Sequence, residues 1–281
     1  MTVSEESLEM IIDLITATTG IIPRSSHREG IRSYVSSKMG ILEITSVKEY
    51  SDMLRRDRSL FMELINESTV NETYFFREEK QFSFVRNKIL PNWIARHGSQ
   101  PIKMWSAACS YGEEAYSLAL LAKDCGARAH ITASDINTAV LSHCAAGVFN
   151  ASSMRGGDGV SFQNLLLPYR TPNAKIAFSD ELRGYITTRQ INLAEMGNPA
   201  SEGILPKMQD VVFIRNVFIY FSQELRARIL KVIADRCMAE EGVLFVSMSE
   251  IAQIDGSVMP ASLEKVSDGS VFYFQKKRTE G

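Results

Sequence analysis

Met104-Trp-Ser-Ala-Ala-Cys-Ser-Tyr-Gly-Glu-Glu-Ala-Tyr116 decides how the rest of the chain is read. It opens at the end of an apolar run from Ile102, passes through Ala107, Ala108, Cys109 and Ser110, and turns at Gly112. Tyr116, Leu120 and Leu121 then follow at helix spacing. Strand, small-residue turn, helix is the geometry that sets a nucleotide-like ligand against backbone N–H groups. The helix begins, however, with two acids, Glu113 and Glu114. A pyrophosphate would be repelled there. A ligand with ribose hydroxyls and a positive charge would not be, and S-adenosylmethionine is one.

Working outward on the C-terminal side, strand and helix patterns alternate. His130–Ser134 reads as the second strand and closes on Asp135, with Asn137 or Thr138 capping the next helix. Residues 147–184 differ: Gly147, Gly156, Gly157, Gly159 and Gly184 accompany Pro168 and Pro172, a composition that suits an insertion. Tyr185–Leu193 and the apolar Asp210–Arg215 read as further strands, and Ser222 caps a helix to about Cys237. Val243–Ser247 and Ser270–Gln275 are the expected last strands. Repeated βα units predict a largely parallel, doubly wound sheet.

On the N-terminal side the pattern is helical. Ser4 caps a helix carrying Leu8, Ile11, Ile12 and Ile15 on one face, and Ser26–Met39 forms a second that stops at Gly40. Ser46-Val-Lys-Glu49 is a capping box for a third, and Phe61, Leu64 and Ile65 mark a fourth. The expected organisation is a helical domain over 1–70 and a ligand-binding domain over 71–281, with the insertion at about 148–192.

Composition bounds the function. The 281 residues are 45% hydrophobic with a net charge of −2, which argues against a general nucleic-acid binder. The four cysteines form no CxxC pair, the four histidines complete no zinc spacing, and no metal site is expected. Met1 precedes an acidic helix rather than a signal peptide, and Val211–Phe221 is too short to span a bilayer and is broken by Arg215-Asn216. A cytoplasmic protein, not inserted in a membrane, is expected.

Four blocks carry a family resemblance: Asn71-Glu-Thr-Tyr-Phe-Phe-Arg77-Glu78, Trp105–Glu114, Ser134-Asp-Ile-Asn137 and Ile214-Arg-Asn-Val-Phe-Ile-Tyr-Phe221. In order and spacing they resemble the CheR-type chemotaxis receptor glutamate methyltransferases, from about residue 5 to 277. Gly242-Val-Leu and Ser249-Glu250 resemble that family's closing block. Tyr111 and Ala115 depart from it, standing where the family usually has Thr and often has Pro. The resemblance implies an all-α N-terminal domain and a Rossmann-like methyltransferase domain of α/β class with a small inserted antiparallel β subdomain. It implies methyl transfer from S-adenosylmethionine, leaving S-adenosylhomocysteine, to glutamates in the cytoplasmic helical bundle of methyl-accepting chemotaxis receptors, by a monomer. The alternative is a CheR-like domain that binds the donor and signals by protein contact without turnover.

The same resemblance implies donor contacts from Asn71, Thr73, Arg77, Glu114, Asp135, Asn192, Leu193, Arg215 and Asn216, with Glu113 structural. Each has a plainer reading. Asp135 stands 23 residues after Gly112, where a ribose-binding acid or a helix cap are both at home. Asn71 and Thr73 could cap a turn. Arg77 and Tyr220 carry the acceptor side, although Arg77 could pair with Glu78 or Glu79 and Tyr220 could be core. Arg215-Asn216, polar at the end of an apolar strand, suit a strand-end crevice. Arg24, Arg28, Arg32 and Lys38, extended by Arg55, Arg56 and Arg58, form a basic helix face for an acidic receptor bundle or merely a solvated one.

Overall fold

The computed structural model describes residues 3–155 and 158–278; Gly156 and Gly157 of the glycine-rich stretch lie outside them. Four helices come first: α1 (Glu5–Thr19), α2 (Ser25–Ile41), α3 (Val47–Arg56) and α4 (Arg58–Ser68). Ser4 caps α1 through the Ser7 amide, and Ser46 caps α3 through that of Glu49. Asp57 caps α4 by accepting from Ser59 and Leu60. The apolar faces close one small core around Leu8, Ile11, Ile15, Val35, Tyr50 and Leu64. Gly40 does not end α2. The helix runs through it to Ile41, and the reversal falls on left-handed Glu43, with Ile44 N bonded to Met39 O at 2.9 Å.

On the basic face expected on α2, several cations have acidic neighbours within the helical region. Arg28 pairs with Glu5 and Glu9 of α1, Arg32 with Glu5 and Glu29, and Lys38 with Glu63 of α4. These cations tie α2 to α1 and α4, and their side chains remain partly exposed. Arg55, Arg56 and Arg58 are exposed.

Next, α5 (Glu79–Phe84) runs through a wide turn, Val85–Ile89, into α6 (Leu90–His97). Pro91 cannot donate into that run, and the widened turn stands just before it. Then come β1 (Ile102–Ala107), α7 (Glu113–Asp124), β2 (Ala129–Asp135) and α8 (Thr138–Ala146). The insertion holds β3 (Val148–Asn150), one-turn α9 (Gln163–Leu166), β4 (Lys175–Ala177) and one-turn α10 (Asp180–Arg183). Strands β5 (Ile186–Gln190) and β6 (Gln209–Ile214), helix α11 (Gln223–Val232), and strands β7 (Met238–Phe245), β8 (Leu263–Asp268) and β9 (Val271–Lys276) complete the chain.

The sheet order is β5-β2-β1-β6-β7-β9-β8. Strands β5, β2, β1, β6 and β7 pair in parallel, and β9 pairs antiparallel with both β7 and β8. Trp105, wholly buried, is in register with Thr132 on one side and Val212 on the other. The strand order therefore reverses around β1, and ligands bind at the carboxyl ends of strands flanking such a reversal.

Within the span read as the insertion, β3 and β4 form the antiparallel pair, in register at Phe149 and Ile176. Ile186–Gln190 belongs to the main sheet instead, parallel to β2, because the chain has returned to the core by Leu182. Phe178 stacks on Tyr116 of α7 at 4.4 Å and meets Phe75 and Phe149 edge-on, which anchors the insertion beside the segment carrying Arg77. Strand β8 escapes a sequence reading because LEKVSD is an exposed, charged edge strand.

Candidate active site

After β1 the backbone takes left-handed turns at Ala108, Ser110 and Gly112, with φ of 58°, 52° and 105°. Two bonds to the end of β2 hold this loop: Cys109 N to Ser134 O (2.8 Å) and Ser110 N to Asp135 Oδ2 (2.9 Å). Gly112 is required by packing as well as by φ. A Cβ there would stand 2.4 Å from Cys144 Sγ of α8. The glycine seats α8; it does not make room for a ligand.

Asp135 is not the cap of α8. Asn137 Oδ1 takes that role, accepting from Ala139 and Val140. Asp135 is 8% exposed and also accepts from Asn137 N through Oδ1. Burial pushes its carboxyl above the ordinary range against the pull of nearby amides. Each oxygen keeps accepting capacity for a ligand hydroxyl.

Opposite it, Arg215 at the end of β6 is turned into the protein. Its Nε donates to Glu114 Oε2 (2.7 Å), and its Nη1 to Arg77 O (2.7 Å) and Gln81 Oε1 (2.9 Å). Glu114 Oε1 accepts from Ser106 Oγ at 2.6 Å. The pair thus ties β1, α7, β6 and the Arg77 turn together. Glu113 points toward the insertion, its Oε1 accepting from Ser153 Oγ at 2.8 Å.

Arg77 sits between two left-handed residues, Phe76 (φ 56°) and Glu78 (φ 61°), in a turn clamped by Asp158 through the Glu78 and Glu79 amides. Its Nη1 donates to Glu72 O at 2.9 Å. It does not pair with Glu78 or Glu79 among the described contacts. Tyr220 ends a short turn after left-handed Asn216 (φ 57°), and its ring lies 5.6 Å from the Arg24 guanidinium and 6.1 Å from the His27 ring. Half-burial raises its phenol above the usual range. Strained backbone at 76, 78, 108, 110 and 216 thus gathers around one place.

That place is a cavity, continuous with solvent, at the carboxyl ends of the strands. Asn71, Thr73, Arg77, Glu114, Asp135, Asn192, Leu193, Arg215, Asn216 and Tyr220 all line it. Asn192 does so with its side chain already partnered, Nδ2 donating to Thr18 O and Oδ1 accepting from Ala194 N. Asn71 Nδ2 likewise donates to Thr69 Oγ1. Sequence reasoning missed Thr19, Ile21 and His27, which cover the cavity from the helical region. No local signal marks them, since only the docking of α1 and α2 brings them there.

The lining fits S-adenosylmethionine. Ser110 Oγ is buried without a protein partner, Asp135 offers acceptors for ribose hydroxyls, and Ile136, Ile191 and Leu193 supply an apolar wall. Fold and lining together define an α/β methyltransferase. The chain matches the family described as CheR methyltransferase, SAM binding domain, over residues 71–263. It belongs to the CheR methyltransferase family. Its relatives include the chemotaxis protein methyltransferase of Vibrio anguillarum, 29% identical and covering 89% of this chain and 90% of the relative. Chemotaxis protein methyltransferase 2 of Pseudomonas aeruginosa is 31% identical, covering 88% and 87%. The Borreliella burgdorferi chemotaxis protein methyltransferase is 26% identical, covering 94% and 95%.

Proposed function

We propose that this chain, acting as a monomer in the cytoplasm, esterifies glutamate side chains of methyl-accepting chemotaxis receptors, with Arg77 and Tyr220 presenting the acceptor carboxylate. The observation that carries this reading is that both residues line the cavity that also holds Asp135. S-adenosylmethionine supplies a methyl group on a sulfonium sulfur, and the electron pair of the broken bond stays with that sulfur. A glutamate is ionised near neutral pH, so the protein need not remove a proton. Its work is to orient one oxygen, exclude water and hold a near-attack distance.

Asp135 is assigned the ribose hydroxyls and Leu193 the adenine side, with residues 71–73 bordering the rest of the donor. Glu114, Arg215 and Asn216 act on the donor by fixing the loops around it. A regulatory domain without turnover is not favoured, since the relatives are methyltransferases by name.

The test is transfer of a labelled methyl group to a receptor's cytoplasmic fragment, read as alkali-labile methanol, beside calorimetry with S-adenosylhomocysteine. Incorporation at glutamates with product binding is expected. Donor binding without incorporation into any receptor fragment would return the reading to the regulatory alternative.

A further inference from the structure

Glu250 does not line the cavity, yet it is wholly buried and holds the cavity's polar margin together. Its Oε2 accepts from Asn216 N (2.7 Å) and Ser247 N (3.3 Å), and its Oε1 from Ile219 N (3.2 Å). Those amides belong to connecting segments after β6 and β7, where no ladder can satisfy them. Ser247 extends the arrangement. Its Oγ donates to Glu78 Oε1 (2.6 Å) and accepts from Asn216 Nδ2 (3.0 Å), while Glu78 Oε2 accepts from Met248 N (3.0 Å). Two side chains after β7 therefore fasten both turns that carry the acceptor-side residues. Asn216 and Glu78 are left-handed, conformations that persist only where their surroundings over-determine them. A carboxylate is expensive to bury. An apolar side chain here would leave the Asn216, Ile219 and Ser247 amides buried without an acceptor, so what the acid secures is the shape of the turn.

We infer that Glu250, with Ser247, is a positioning residue for methyl transfer: it fixes the 216–220 turn against the 77–78 turn and so sets where Tyr220 stands relative to Arg77. The inference rests on the acceptor-side reading of Arg77 and Tyr220 above. Burial pushes the Glu250 carboxyl above its ordinary range while the Asn216, Ile219, Ser247 and Phe218 amides draw it back. Glu250→Gln keeps size but sets an NH2 donor against a backbone donor, so the turn must shift.

The experiment is a double-mutant cycle in the full chain, by single-turnover methylation of a receptor fragment with S-adenosylmethionine saturating. Glu250→Gln should lower the rate about tenfold to a hundredfold, the scale of a misplaced orienting group. In a Tyr220→Phe background the same change should lower it less than about threefold, because the group being positioned is already gone. Equal losses in both backgrounds overturn the inference, as does a wild-type rate for Glu250→Gln while Tyr220→Phe is slow. A wild-type rate for Tyr220→Phe with Glu250→Gln slow fails the acceptor reading of Tyr220 itself, and the inference with it. Should Glu250→Gln not fold, Ser247→Ala replaces it in the cycle. Ser247→Thr, which retains the hydroxyl, should recover the rate, and failure to recover it overturns the inference.

Discussion

Arg215 Nε meets Glu114 Oε2 at 2.7 Å in an ion pair whose side chains are 3% and 11% exposed. The guanidinium also lies 5.3 Å from the ring centres of both Phe82 and Phe213, so it is flanked by aromatic faces and edged by acceptors. Such an arrangement is costly to break on one side, because the remaining charge stays buried without its partner. Arg215→Ala should destabilise the protein by about 3–5 kcal/mol. Arg215→Lys should recover little, since an ammonium cannot reach Glu114, Gln81 and the Arg77 carbonyl in one plane. Urea unfolding checks this. An Arg215→Ala variant within about 1 kcal/mol of wild type, the scale of an exposed pair, would show that the pair is not structural.

The donor site makes a pH prediction through Asp135. Burial raises its folded-state pKa, so between the unfolded and folded values the folded protein retains a proton that the unfolded chain releases. Acidification through that window therefore favours the fold. Ligand binding has the opposite sign, because ribose hydroxyls donate to the anion. Affinity for S-adenosylhomocysteine should fall as pH drops into the window, with protons released on binding. Asp135→Asn should bind about ten- to a hundredfold more weakly and lose the part of the pH slope that Asp135 supplies. Calorimetry in buffers of different ionisation enthalpy separates these; an unchanged slope in Asp135→Asn would assign it to another acid.

What was legible in the sequence was whatever is encoded locally. The apolar run to Trp105 and the small residues after it specify strand and turn within one stretch, and Ser4, Ser46 and Ser222 each cap the helix they precede. Asp135 was legible as an acid at a strand end, but whether it capped a helix was undecidable until Asn137 took the cap. Contacts between distant segments were not legible. Nothing near Arg28 announces that Glu5 and Glu9 will neutralise it. The hub at Glu250 depends on segments 31 and 34 residues away closing on one carboxylate. The return of residues 186–190 to the main sheet is likewise a matter of topology, since a short polar ITTRQ strand looks alike in either sheet.

Charge reversal on α2 follows from those pairings. Arg28→Glu with Arg32→Glu sets five acids together where α1 and α2 meet, Glu5, Glu9, Glu29 and the two new ones. The helical region should lose thermal stability, with the loss reduced at high salt, which screens like charges. Donor affinity should follow only in proportion to the unfolded fraction. A melting curve equal to wild type, together with a loss of receptor methylation, would restore these arginines to a docking role.

Arg77 carries the sharpest mechanistic expectation. It stands on a turn held from three sides: Asp158 accepts from the Glu78 and Glu79 amides, Ser247 donates to Glu78, and Arg215 donates to the Arg77 carbonyl. A backbone fixed this firmly presents its side chain reproducibly at the cavity, where Tyr220 also lines the wall. Arg77 Nη1 donates to Glu72 O, which leaves other guanidinium N–H groups for a carboxylate. One charged planar donor and one neutral hydroxyl can then fix the attacking oxygen, and losing orientation slows the step more than it weakens binding. Arg77→Lys keeps the charge without the two-donor fork, so it should lose much of kcat, and Arg77→Ala nearly all. Tyr220→Phe should lose less, because a neutral hydroxyl contributes less than a charged donor. Single-turnover methylation of a receptor fragment at saturating donor measures all three. If Arg77→Ala reaches the wild-type rate once the donor is saturating, Arg77 borders the donor alone and the acceptor carboxylate is held by something else.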